Sequence, residues 1–257
     1  MIAQELFNLQ GQVSVITGGA RGLGYAISET LAQAGSDILI CSRRIAKYEK
    51  PIESLQSLGI KCRALKCDVS DPQDVKKLSE FIEREFGRVD ILVNNAGATW
   101  GASVLDYPLE GWNKVMNVNV TGTFLCCQAI GRFMVRQNKG KIINLSSIEG
   151  VSGGDPQYMD AIAYNTSKGA IITLTKDLAV KWAPYHINVN TIAPGFMHSD
   201  MAQATLEKFG DKIISRIPMG RFGKGEDLRG GILFLASAAS DYVTGQVLFV
   251  DGGWHAM

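Results

Sequence analysis

The chain has 257 residues and a mass of 27.9 kDa, which suits one large domain or two small ones and excludes a longer array. With 46% hydrophobic residues, 20% charged residues and 28 glycines, it can bury a sizeable core and is neither disordered, collagenous nor a coiled coil. Lys plus Arg number 26 against 25 Asp plus Glu, so a net charge of +1 gives no long-range pull on a polyanion and nucleic acid is not an expected partner.

No stretch approaches the roughly 18 uninterrupted apolar residues that span a bilayer, so no membrane partner is expected. Residues 1–12 carry no basic residue and no signal-like apolar run, which points to the cytoplasm. Five cysteines (Cys41, Cys62, Cys67, Cys126 and Cys127) are odd in number and form no CxxC pair, as expected of reduced core thiols. His186, His198 and His255 lack HExxH or i,i+4 spacing, so no metal site is expected.

Short apolar runs alternate with helical stretches from end to end. Val13–Ile16, Ile38–Cys41, Arg63–Lys66, Ile91–Asn94, Lys141–Leu145, Ile187–Ile192 and Gln246–Val250 read as seven strands, mostly without polar alternation, so both faces must be covered. Helices are predicted near 22–34, 46–58, 72–86, 111–137, 160–182 and 226–237. Asp71-Pro72 supplies a capping acceptor followed by proline in the first turn. Strict alternation with right-handed crossovers gives an α/β fold, a Rossmann-type doubly wound seven-stranded parallel sheet with helices on both faces. No linker, repeat or low-complexity segment divides the chain, so residues 1–257 read as one domain. Two irregular loops, 149–160 and 195–217, follow strands and belong on the ligand-binding face.

The first strand leads into Thr17-Gly18-Gly19-Ala20-Arg21-Gly22-Leu23-Gly24 and then a helix. Glycines there allow a tight turn and let main-chain N–H groups approach a pyrophosphate at the helix N-terminus. The spacing is TGxxxGxG rather than GxGxxG. With Asp68-Val69 after the third strand, Asn94-Asn95-Ala96-Gly97 after the fourth and Pro194-Gly195 after the sixth, the chain resembles the short-chain dehydrogenase/reductase family along almost its whole length. The resemblance implies cofactor contacts from Gly18, Ala20, Arg21, Gly22, Leu23, Ser42, Arg43, Arg44, Asp68, Val69, Asn95, Ala96, Gly97, Tyr164, Lys168, Pro194, Gly195 and Met197.

Which dinucleotide is bound follows from charge. NAD enzymes of this fold place an acid after the second strand to accept the ribose 2′-hydroxyl, whereas here that strand ends Cys41-Ser42-Arg43-Arg44 and the nearest acid, Asp37, precedes it. Two guanidiniums, with Arg21 in the glycine loop, suit a 2′-phosphate. NADP(H) is the expected cofactor, with NAD(H) as the alternative.

Tyr164-Asn165-Thr166-Ser167-Lys168 sets a phenol and an amine four apart on one helix face. A phenol with a reference pKa of about 10 needs about 4 kcal/mol of differential stabilisation to act as a base near neutrality, and a close ammonium can contribute. The family resemblance makes Tyr164 the acid/base, Lys168 its partner, Ser147 the donor to the substrate oxygen and Asn119 the support of a proton relay. Reversible hydride transfer between nicotinamide and a carbonyl carbon is the implied reaction. Loss of the tyrosine or lysine would have favoured a nucleotide-sensing protein without activity, and this chain keeps both.

Tyr164 stands seventeen positions after Ser147, further than in most members of the family, so the loop bordering the substrate is enlarged. Thr99, Trp100, Phe196, Met197 and His198 are further pocket candidates. The ending from Arg216 through Trp254 looks like gluconate 5-dehydrogenases and is largely shared by bacterial 3-oxoacyl-(acyl-carrier-protein) reductases. Those reductases hold their carrier through arginines that here look like Asn138 and Tyr185, with Lys139 and His186 nearby as candidate substitutes, so a sugar acid or polyol leads narrowly as the substrate class and 3-oxoacyl-(acyl-carrier-protein) or general carbonyl reduction is the alternative. The helices at 111–137 and 160–182 carry apolar residues on more than one side, including Phe124, Phe133, Ile171, Leu174 and Trp182, and by resemblance pair across subunits. A homotetramer is expected, with a dimer as the alternative.

Overall fold

A computed structural model describes residues 2–199 and 202–257. Its seven strands are β1 (Val13–Thr17), β2 (Asp37–Ser42), β3 (Cys62–Lys66), β4 (Ile91–Asn94), β5 (Gly140–Leu145), β6 (Ile187–Pro194) and β7 (Val247–Val250). All six pairings are parallel, in the order β3-β2-β1-β4-β5-β6-β7. The helices are α1 (Gly22–Gln33), α2 (Glu49–Gln56), α3 (Pro72–Glu85), α4 (Leu109–Met116), α5 (Gly122–Gln137), α6 (Ile162–Trp182), α7 (Gln203–Ile214) and α8 (Gly225–Ala236).

Successive strand residues feed opposite layers, which is why the strands read as continuous apolar runs. Ile16, Ile38, Ile40, Ile91, Val93, Ile143 and Ile192 pack under α1, α2 and α8 through Ile27, Leu31, Leu55, Leu228 and Ile232. Their neighbours Val15, Leu39, Leu92, Ile142 and Val189 face Val75, Leu78 and Ile82 of α3 and Cys126, Ile130 and Phe133 of α5. Asp71 caps α3 as its sequence requires: Oδ1 accepts from the Gln73 N–H at 2.8 Å, and Pro72 occupies the first turn. All five cysteines are buried and unbridged.

Two predicted elements differ. The helix expected over 111–137 is α4 and α5 joined by a π-helical turn, Asn117–Thr121, in which the Gly122 N–H reaches back five residues to the Asn117 carbonyl. Residues 195–217 are not irregular throughout, because α7 lies within them. Its apolar face is narrow: Leu206 and Ile213 join Ile148, Phe196, Ile217 and Phe222 in a small cluster beyond the carboxyl ends of the strands, and Ala202 gives it no side-chain cap. Asp200 and Met201, inside the predicted 195–217 loop, lie outside the described residues.

Of the apolar side chains expected to seek a partner chain, Phe133 and Ile171 are spent in the subunit's own core. Phe124 is 44% exposed and borders a shallow groove with Gly131, Val135, Leu178 and Trp182. Among the described residues, no helix is long and apolar enough to cross a membrane.

Ile143 on the central β5 has no exposed surface. Replacing it with alanine is expected to lower unfolding stability by about 2–5 kcal/mol, read from the denaturant midpoint at unchanged slope. A loss below about 1 kcal/mol would mean that β5 does not carry the core.

Candidate active site

In an open parallel sheet, the chain connections leave β1 and β4 in opposite directions, and the gap between them opens a crevice at their carboxyl ends. A cleft of about 470 Å³ lies there and continues past β5 and β6. Its rim is stitched together by one hydroxyl and one amide. Thr17 Oγ1, at the end of β1, accepts from the backbone N–H groups of Asn95 and Ala96, each at 3.0 Å. Asn95 Nδ2 returns to the carbonyls of Thr17 at 2.9 Å and Gly18 at 3.2 Å.

The glycine loop is shaped by this close approach. Gly18 has φ of +69°, and a Cβ on Gly24 would lie 2.2 Å from the Gly18 carbonyl oxygen and 2.5 Å from Asn95 Nδ2. Only hydrogen fits at position 24, and the turn delivers the N-terminus of α1 to the cleft, where its unpaired N–H groups favour a phosphate. Gly18, Arg21, Gly22 and Leu23 line this end together with Ser42 and Arg43 after β2. Asp37 sits at the opposite end of β2, where Oδ1 accepts from the Lys61 N–H at 2.8 Å. It is therefore remote from any ribose held near Arg43, and the residues that follow β2 fit a 2′-phosphate.

Asp68 and Val69 form the next part of the wall. Asp68 Oδ1 accepts from both the Ser70 N–H at 3.0 Å and the Ser70 hydroxyl at 2.7 Å, which fixes the turn after β3. Asn95, Ala96, Gly97, Pro194, Gly195 and Met197 also line the cleft. Two expected contacts do not. Ala20 is buried beneath the loop, and Arg44 points into solvent beside the cleft rather than forming its wall.

Beyond β5 the chain divides two serines by strand alternation. Both line the cleft, but Ser146 Oγ is engaged in donating to the Lys168 carbonyl at 2.7 Å, while Ser147 Oγ accepts the Glu149 N–H at 3.2 Å. Tyr164 stands at the start of α6 and Lys168 one turn later. Lys168 Nζ donates to the Leu145 carbonyl at 2.7 Å and lies 5.4 Å from the Tyr164 ring centre.

Asn119 does not reach the cleft surface. It is 2% exposed, its Oδ1 accepts the Ala98 N–H at 2.7 Å, and Nδ2 donates to the Ala98 carbonyl at 3.0 Å and to Ser167 Oγ at 2.9 Å. A Cβ on Gly97 would lie 3.5 Å from Asn119 Oδ1 and 4.0 Å from Lys168 Nζ, so the asparagine backs the wall immediately behind the lysine.

Enclosure dominates the proton affinities. Burial pushes the Tyr164 phenol up to about 12 despite a hydrogen bond from Ser147 that favours the phenolate, and the Glu149 charge adds to the rise. This is opposite to the depression expected from the neighbouring lysine. Burial also pushes Lys168 down to about 8. The same enclosure thus favours a protonated phenol and lowers the proton affinity of the amine beside it.

Thr99, Phe196 and Met197 line the cleft. Trp100 and His198 do not: Trp100 packs onto Gly111, where a Cβ would come within 2.7 Å of its ring, and His198 meets the Phe222 ring edge-on at 5.5 Å. Thr17 and Ser167 were not foreseen at the site, while Glu149, Tyr158, Asp160, Ser199 and Thr205 fall in the loops 149–160 and 195–217 expected on the ligand-binding face without being singled out as site residues. Thr17 had a signal, since a hydroxyl ending the strand before a glycine loop is well placed to cap the adjacent turn. Glu149 had none, because its burial is made by the folding of the loop around it.

The family model described as Enoyl-(Acyl carrier protein) reductase matches residues 18–255. The 2-dehydro-3-deoxy-D-gluconate 5-dehydrogenase of Dickeya dadantii is 40% identical over 253 residues, covering 97% of this chain and 98% of that protein. A 3-oxoacyl-(acyl-carrier-protein) reductase of Aquifex aeolicus is 39% identical over 246 residues, covering 95% and 98%. Among solved structures, a gluconate 5-dehydrogenase from Burkholderia cenocepacia in complex with NADP and tartrate superposes with a TM-score of 0.94 at 35% identity, covering 100% of both chains. Likeness of this extent shows that the chain belongs to the short-chain dehydrogenase/reductase family.

Proposed function

We propose that the protein is an NADP(H)-dependent oxidoreductase that interconverts a secondary alcohol and a ketone on a polyhydroxylated substrate, a sugar acid or a polyol. The observation that carries this reading is the meeting of Ser147, Tyr164 and Lys168 in one cleft whose other end holds the glycine turn, the α1 N-terminus and Arg43. Bound along the glycine turn, the α1 N-terminus and Arg43, NADPH would supply hydride-donor chemistry to the carbonyl carbon. Tyr164 gives its phenolic proton to the carbonyl oxygen, and Ser147 donates a hydrogen bond to that same oxygen. Lys168 stabilises the phenolate left behind, while Asn119 positions the Ala96–Ala98 segment against the lysine.

Relatives named for sugar-acid and acyl-carrier substrates lie at nearly equal identity, so the choice between them rests on this chain's surface. Asn138 is the left-handed cap of α5, with φ of 52°, a conformation that favours asparagine over arginine. Tyr185 is 42% exposed and uncharged. Neither offers a cation to an acidic carrier, which supports the sugar-type substrate. Five buried free thiols suit a reducing compartment, the cytoplasm.

Tyr164→Phe is expected to lower kcat for ketone reduction about 100-fold or more, with NADPH affinity unchanged by fluorescence titration. Retained turnover would move the proton donor elsewhere. Because Lys168 is lowered to about 8, its ammonium is present below that pH and lost above it, whereas Tyr164, raised to about 12, stays protonated throughout. Reductive kcat/KM for NADPH should therefore be level below neutrality and fall as pH rises through about 8. A rise over that range would contradict the assignment.

Arg43→Asp should weaken NADPH binding about ten- to hundredfold with little effect on NADH, and equal losses would refute a 2′-phosphate contact. Self-association through α5 and α6 into a homotetramer, with a dimer as the alternative, is supported by the groove beside Phe124. A monomeric mass by light scattering at micromolar concentration would overturn it.

A further inference from the structure

Charge is distributed unevenly along the cleft. Among the described lining residues the cations are Arg21 and Arg43 at the glycine-loop end and Lys168 at the centre, whose amine is committed to the Leu145 carbonyl. The far end includes Glu149, Tyr158, Asp160, Ser199 and Thr205, and among the described residues there it holds two acids and no base. Arg216, the arginine nearest this loop, is held outside: its Nη1 pairs with Asp155 at 3.3 Å and its guanidinium lies 4.8 Å from the Trp254 ring centre.

Glu149 is the acid closest to the chemistry. Its backbone N–H donates to Ser147 Oγ at 3.2 Å, and its charge is felt by Tyr164. The side chain is built in rather than adventitious. Glu149 is 7% exposed, and Oε2 accepts from Nδ2 of Asn165, the residue after Tyr164, at 3.0 Å. The enlarged loop closes directly over this pair: a Cβ on Gly154 would lie 2.8 Å from Asn165 Nδ2 and 3.0 Å from Glu149 Oε2. Among the described residues the second oxygen, Oε1, makes no hydrogen bond, and the residue lines the cleft.

We propose that Glu149 is a specificity-determining residue that selects an uncharged polyhydroxy ketone or alcohol and rejects the corresponding carboxylate. In either protonation state a carboxyl group offers lone pairs to substrate hydroxyls, and when ionised it accepts them as charge-assisted bonds. A substrate carboxylate would leave water for a wall that, among the described residues, holds no cation and places like charge beside it. Specificity comes from that repulsion as much as from the hydroxyl contacts. The enlarged loop thus has a defined task, which is to bury Glu149 and seat it beside the reacting oxygen.

This inference rests on the oxidoreductase reading above, and one assay separates the two. Initial rates of NADPH oxidation are measured with D-fructose, L-sorbose and 5-keto-D-gluconate, ketones of equal carbon number, on wild type and Glu149→Gln. The wild type is expected to favour a neutral ketose in kcat/KM by about tenfold or more. Glu149→Gln, which keeps an acceptor for Asn165, should raise kcat/KM for 5-keto-D-gluconate about tenfold and narrow the ratio, with NADPH affinity unchanged. Preference of the wild type for 5-keto-D-gluconate would overturn the inference while leaving the oxidoreductase reading intact, as would an unchanged ratio in a variant that still binds NADPH. If the variant fails to bind NADPH, the wild-type ratio alone decides. Absence of turnover on every ketone by an NADPH-binding wild type would overturn both.

Discussion

Removal of water from one phenol and one amine is the constraint on which the rest of this structure depends. Tyr164 is driven toward its protonated form and Lys168 toward its neutral one by the same enclosure, so proton affinities that are nearly equal in water are pushed apart, the phenol up to about 12 and the amine down to about 8. Holding two such groups out of solvent requires a rigid wall with its own polar groups satisfied. The Leu145 carbonyl meets the amine, and Ser146 ties the following backbone to the end of β5. Deeper in the protein, Asn94 donates to Asn144 at 2.8 Å, Asn144 donates to Thr175 at 2.9 Å, and Thr175 pairs with Thr191 at 2.8 Å. That chain of amides and hydroxyls joins β4, β5, β6 and α6 into one unit, so the helix bearing Tyr164 and Lys168 cannot shift without breaking buried bonds.

A second consequence concerns direction along the cleft. The turn after β1 and the start of α1 concentrate N–H groups and arginine at one end, where Asp68 is the one acid among the described lining residues, while Glu149, Asp160 and hydroxyls occupy the other. The near-zero net charge of the chain therefore conceals a gradient across its functional surface, with phosphate favoured at one end and hydroxyl donors at the other. The π-helical turn contributes in the same manner. By widening the helix at Asn117–Thr121 it lets Asn119 turn both amide atoms onto Ala98, which fixes the backbone that faces Lys168.

The architecture was legible in the sequence wherever burial is two-sided. Strands such as Val13–Thr17 and Ile91–Asn94 are enclosed on both faces, so their composition alone announces them. The glycine turn, the Asn95–Gly97 segment and the Tyr164–Lys168 spacing were legible because backbone geometry restricts which residues can stand there. Legibility failed where structure is made by tertiary contact. The α7 helix offers only a narrow apolar stripe to a small cluster, and the π-helical turn at Asn117–Thr121 reads as ordinary helix because the contact it makes, from Asn119 to the Ala98 backbone, is tertiary. Arg44 read as equivalent to Arg43, yet a single step along the chain turns it out of the cleft. Glu149 carried no spacing signature at all, since its significance comes from a loop that folds over it.

Transfer of hydride within this cleft is the central claim, and isotopic tracing tests it most directly. A ketose is incubated with the purified protein and NADPH deuterated at nicotinamide C4, and the product is analysed by mass spectrometry. One deuterium on the new carbinol carbon is the result predicted by a cleft that joins the glycine turn to Ser147, Tyr164 and Lys168. Tight NADPH binding with no label in any product, using cofactor deuterated on either face, would contradict it.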